Sequence, residues 1–155
     1  MAEVQGLSNV LKNLNAAISK IEKQTKAGLT EACLEIKRES VKQTPIDLGN
    51  LRGSCFIMVT GKKADNTSPS FTGKDISTLV SGHSNAVNEG REIVNAVKSK
   101  MVGIVSYSAN YAYWVHEMPA TTNWSAPGVG NKYLEKALFG MKTRIPQILK
   151  KHMQI

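Results

Sequence analysis

The chain has 155 residues, enough for one domain with a real core, of which 41% are hydrophobic and only 6% aromatic. Lys and Arg number 20 against 12 Asp and Glu; the resulting +8 favours nucleic acid, an anionic membrane or an acidic protein face without choosing among them. Two cysteines, Cys33 and Cys55, exclude a disulfide framework, no apolar run is long enough to span a bilayer, and Met1 to Gly6 lack the regions of a signal peptide, so a soluble protein made in the cytosol is expected.

Apolar residues recur at Val4, Leu7, Leu11, Leu14, Ile18 and Ile21, in steps of three and four that place one narrow stripe on a helix. Lys12, Lys20, Lys23 and Lys26 lie off that stripe. It weakens at Thr25 and Gly28, then resumes, rotated, at Leu29, Ala32, Cys33 and Ile36. A single helix over residues 3–43 would be about 60 Å long at 1.5 Å per residue. A domain of this size cannot cover that length. The helix therefore projects, packs on another subunit, or breaks at Gly28 into two.

Residues 44–52, Thr-Pro-Ile-Asp-Leu-Gly-Asn-Leu-Arg, turn the chain from helix to sheet. Pro45 pushes Thr44 out of the α region. Asp47 is expected to fold its carboxylate onto the backbone two residues on, and Gly49 to take positive φ. Leu51 supplies a core anchor and Arg52 a charge, expected to pair with Glu117 or with a neighbour's carboxylate.

Residues 53–60 read as a strand, and 61–74 as a polar loop expected to be mobile. The later part of 75–98 has helical spacing, with Ser81–Asn85 read as an interruption. Residues 101–107 alternate and are β-branched, which predicts a second strand. Residues 108–117 turn into a short helix or continue extended, and 118–130 form a loop. Asn131 is the expected N-cap of a closing helix carrying Leu134, Leu138, Met141, Ile145, Ile148 and Leu149, with a kink expected at Pro146. The order predicts one α+β domain over residues 1–155: a long N-terminal helix, a small antiparallel sheet with an insertion over 61–98, and a C-terminal helix.

His116-Glu117 suggests a zinc protease, but position 120 is Ala where the partner histidine would stand, and His83, His116 and His152 lack metal-ligand spacing. Cys33 falls on the apolar stripe, where a thiol is inert. With no phosphate loop, nucleophile elbow or carboxylate pair, neither an enzyme nor a cofactor is expected. Tyr107, Tyr111, Tyr113 and Trp114 form an aromatic cluster without interleaved basic residues, which favours core and interface packing over base stacking. The lysines form a solvated helix face, a docking surface for an acidic neighbour, or a lumen contact to DNA phosphates.

Three segments stand in order: the Thr44–Arg52 turn, Tyr107–Glu117 (Tyr-Ser-Ala-Asn-Tyr-Ala-Tyr-Trp-Val-His-Glu), and Lys132–Leu138 (Lys-Tyr-Leu-Glu-Lys-Ala-Leu). Over residues 30–140 they resemble the neck and tail-completion (head–tail joining) family of tailed bacteriophages, with its T-P-x-D-x-G-x-L-R turn, Y-A-x-(Y/W)-V-H-E segment and (F/Y)-L-x-x-A-L helix start. The chain departs from that pattern in its long 61–98 insertion and in a loop after Glu117 without a glycine-rich run. The resemblance implies a non-enzymatic virion protein at the neck or tail top. It would close into a self-associated ring, a hexamer matching the tail, and contact neighbouring head-completion, connector and tail proteins. DNA would pass through the lumen without sequence-specific binding, and no membrane is involved. Thr44, Pro45, Asp47, Gly49, Leu51 and Arg52 would be the structural turn. Leu7, Leu11, Leu14, Ile18, Ile21, Tyr111, Trp114, His116, Glu117 and Trp124 are the candidate interface. The alternative function is a small basic nucleic-acid-binding module.

Overall fold

The computed structural model describes residues 7–97, 100–124 and 126–154, and of Leu7 the backbone alone; Val4 lies outside these. The elements are α1 Leu7–Gln43, α2 Asn50–Gly53, β1 Cys55–Val59, α3 Ile76–Ala96, β2 Gly103–Tyr107, α4 Ala112–Glu117, α5 Tyr133–Gly140 and α6 Arg144–Met153. This is the expected α+β class, with a long first helix and one antiparallel pair of strands.

α1 runs unbroken for 37 residues, about 55 Å. Gly28 does not kink it. A Cβ there would lie 3.1 Å from Leu149 Cδ2 and 3.3 Å from the His152 Cβ, so the glycine is the notch into which α6 packs. That close approach offsets the roughly 1 kcal/mol that glycine costs a helix interior. Ala32 and Ile36 continue the contact, against Met141 and Ile148. Glu31 adds a polar clamp, accepting from His152 Nε2 with Lys151 at 3.5 Å.

β1 and β2 are antiparallel, Cys55 opposite Tyr107 and Val59 opposite Gly103. Every residue of β1 is buried. Ile57 and Val59 pack toward Cys33 and Leu29 of α1, whereas Phe56 and Met58 pack toward Val87 and Val94 of α3. A strand covered on both faces is apolar at every position rather than alternating. Its outer edge is closed by the 61–74 loop, which is therefore anchored rather than loose. Ile57 N–H donates to Asp65 Oδ1 at 2.7 Å, and Asp65 N–H donates to the Ile57 carbonyl at 3.3 Å. Asn66 Nδ2 donates to the carbonyls of Gly53 and Cys55 at 2.8 and 3.1 Å.

Four expectations are corrected. α3 continues through Ser81–Asn85, because His83 is buried between Phe56 and Phe71 and is hydrogen-bonded at both nitrogens, to Ser108 Oγ at 2.6 Å and the Asn66 carbonyl at 2.7 Å. The closing helix is two helices. Pro146 sits in the first turn of α6, where its missing N–H removes no intrahelical bond, so no kink results. The N-cap of α5 is Lys132, left-handed at φ 53°, while Asn131 Nδ2 donates to the Met118 carbonyl at 2.8 Å.

Gly103 faces α1 so closely that a Cβ would stand 2.5 Å from Cys33 Sγ. Gly103→Ala should cost about 1–3 kcal/mol in denaturant unfolding. The double variant with Cys33→Ala should lose less than the sum of the singles; strict additivity would refute the contact. His152 first, then the ammonium of Lys151, hold Glu31 below its ordinary 4.5. A carboxyl depressed in the folded state adds stability above its unfolded pKa and loses it as pH falls through the folded value. Tm of the native protein should therefore fall on acidification below about pH 4.5, and Glu31→Gln should flatten that fall.

Candidate functional site

The Thr44–Arg52 turn is built by backbone and side-chain caps at the end of α1. Thr44 Oγ1 donates to the Ser40 carbonyl at 2.8 Å, and the Tyr107 hydroxyl lies 2.7 Å from Ser40 Oγ and 3.0 Å from Thr44 Oγ1. Pro45 follows the last helical turn as expected. Gly49 is left-handed at φ 83° and opens α2, and Leu51 is buried with Phe71, Leu79 and Tyr133. Arg52 does not reach Glu117. Its Nε donates to the Thr44 carbonyl at 2.9 Å and its Nη2 to that of Lys42 at 3.2 Å, capping the carbonyl end of α1. The Asp47 carboxylate makes no side-chain hydrogen bond among the described residues, contrary to the expected turn contact. Asn50 instead ties the turn to the 61–74 loop: its Nδ2 donates to the Thr72 carbonyl at 2.7 Å and its Oδ1 accepts from Thr72 N–H at 2.8 Å.

Glu117 is committed within the chain. Lys132 Nζ lies 2.8 and 2.6 Å from its two oxygens, and His116 Nδ1 lies 2.7 Å from Oε1. The Lys132 and His116 bonds hold the Glu117 carboxyl below its ordinary range, and Glu117 in turn raises the Lys132 ammonium. This buckle, with Lys132 N–H donating to the His116 carbonyl at 2.8 Å, holds Lys132 left-handed and directs Tyr133 inward. The Tyr133 hydroxyl donates to the Ala112 carbonyl at 2.8 Å, and its ring meets those of Tyr107 and His116 edge-on, each at 4.9 Å. His116 is therefore mainly an internal support rather than an open contact.

The aromatic cluster divides. Tyr107 and Tyr133 belong to the core, whereas Tyr113 and Trp114 are 69% and 70% exposed, ring to ring at 5.7 Å. Tyr111 and half-buried Trp124, with Pro45, Ile46, Leu48, Val115 and Met118, line an open groove of about 470 Å³ beside the turn.

The other expected surface is the stripe. Residues 8–23 of α1 are all exposed, so this half of the helix projects beyond the body. Val10, Leu11, Leu14, Ile18 and Ile21 are 46–62% exposed. Burying an aliphatic side chain completely is worth about 1.5–3 kcal/mol, so covering the exposed half of these five would yield roughly 4–8 kcal/mol. Association itself costs about 4–15 kcal/mol, so the stripe needs a partner that buries apolar surface of its own.

Chemistry elsewhere is quiet. Burial raises the Cys33 thiol to about 11 and the Cys55 thiol to about 12, keeping both protonated at neutral pH. Among the described residues no group of His, Cys, Asp and Glu is placed to hold a metal, and no helix is long and apolar enough to cross a membrane. Comparison of the chain with family models, curated proteins and solved structures gave no match.

Sequence reasoning missed Asn50 and Lys132. A polar residue between Gly49 and Leu51 was a usable signal for the first. A left-handed lysine carries none.

Gly49 has open space where a Cβ would go, so any cost of substitution comes from its φ alone. Gly49→Ala should lose about 1–2 kcal/mol, and Gly49→Val more, in thermal unfolding. An unchanged Tm for the valine variant would refute the left-handed assignment.

Proposed function

We propose that this chain is a non-enzymatic structural protein of the tailed-phage virion, closing into a ring at the head–tail junction and leaving a lumen through which DNA passes. The observation that carries the reading is the projecting half of α1, whose apolar face is left exposed among the described residues. An unpartnered stripe of this kind belongs to a protein completed by assembly, and head-to-tail contacts that close by rotation make rings. The ordered Thr44–Arg52, Tyr107–Glu117 and Lys132–Leu138 motifs supply the phage assignment.

A second reading, a small basic nucleic-acid-binding module, is favoured by the exposure of Tyr113 and Trp114, on which bases can stack. It requires binding that weakens steeply as salt rises.

Deleting the gene from the virus that encodes it separates the two. In electron micrographs, filled heads detached from finished tails are expected for the junction role. Normal infectious particles would overturn that role and favour the module.

A further inference from the structure

The projecting arm and the apolar groove lie at opposite ends of α1. From Leu14 to Pro45 the helix rise alone is about 47 Å, so one chain cannot close its own groove with its own arm. We infer that residues 8–23 of one copy dock, stripe inward, in the groove beside the Thr44–Arg52 turn of a second copy; the inference rests on the ring reading above.

Three features select this occupant. The first is the width of the stripe. Leu11, Leu14, Ile18 and Ile21 alone would make a two-stranded seam, but Val10 and Ala17 extend the apolar face to one side, the pattern of a helix lying on a body. The second is charge. Over residues 8–23 the arm carries Lys12, Lys20 and Lys23 against Glu22. Arm-on-arm pairing would bring those like charges within a Debye length. The groove side instead carries Asp47 and, across Leu48, Asp75; Lys74 lines the same face, yet no ion pair within 4.0 Å engages either carboxylate among the described residues. A basic arm is steered to such a rim. The third is symmetry: a contact between two unlike surfaces is head-to-tail, the type that generates a ring.

Cysteine cross-linking of the full chain tests this, since Cys33 and Cys55 are buried with raised pKa values and leave introduced thiols as the reactive ones. Ile18 and Leu48 are exposed, so substituting them leaves the core intact. Ile18→Cys protein is mixed with Leu48→Cys protein carrying a tag of different mass, then treated with a short bismaleimide. The mixed-mass dimer should dominate the denaturing gel. Asp47→Lys should weaken self-association about tenfold at low salt, by light scattering, with Tm unchanged. Oligomers whose Ile18→Cys chains cross-link only to one another, or to nothing, would overturn the groove as receiver while leaving the ring. A chain that stays monomeric at every concentration would overturn the ring reading and this inference with it.

Discussion

The fold depends on covering β1 on every side. A two-stranded sheet has no interior strand and is marginal unless helices pack on it. Here β1 is buried on both faces and closed along both edges. Asp65 and Asn66 are the centre of that enclosure. Asp65 bonds the Ile57 backbone in both directions and pairs with Lys37 of α1 at 2.6 Å. Asn66 caps two carbonyls beside the strand, and its own carbonyl receives His83 from α3. One dipeptide in a polar loop thus ties the strand to both helices that cover it. Gly103 belongs to the same constraint, because only a residue without a side chain lets β2 lie against Cys33.

Elements with local, periodic causes were legible in sequence. The three-and-four spacing from Leu7 to Ile36 gives α1, and the apolar run at Cys55–Val59 gives a strand. The turn at Pro45 and Gly49 was legible because each residue restricts or frees φ by itself. What failed was tertiary. Gly82, His83, Ser84 and Asn85 carry turn-like propensities, yet the buried bonds of His83 hold them helical. Gly28 has the composition of a break and the function of a packing notch. The Arg52 and Glu117 side chains were recognised as paired charges, but each found a nearer partner: carbonyls at the end of α1 for one, Lys132 for the other.

The same contrast runs through the surface. No buried side-chain nitrogen or oxygen lacks a hydrogen-bond partner among the described residues. Folding of the body therefore calls for no polar group from outside. Uncovered apolar surface includes the arm, the turn, and Tyr113 and Trp114, with further exposed side chains on α3 and α5 at Ile93 and Phe139. The body is thus internally satisfied in its described polar groups, while apolar surface stays open at separated places on it.

The continuity of α1 gives that arrangement its mechanism. An isolated helix of about sixteen residues is only marginally stable in water, because nucleation fixes several residues for one bond. The arm avoids that step, since residues 24–43 are already held helical by β1, α5 and α6 and the projecting half only propagates the ladder. It is thereby presented straight, with its stripe in fixed register to the body. Ordering a loose segment on contact would consume much of the roughly 4–8 kcal/mol available from the stripe. Gly28 is where the covered half is secured. By admitting α6 closely it anchors the covered half, and so a notch in the core supports an arm that projects well beyond it.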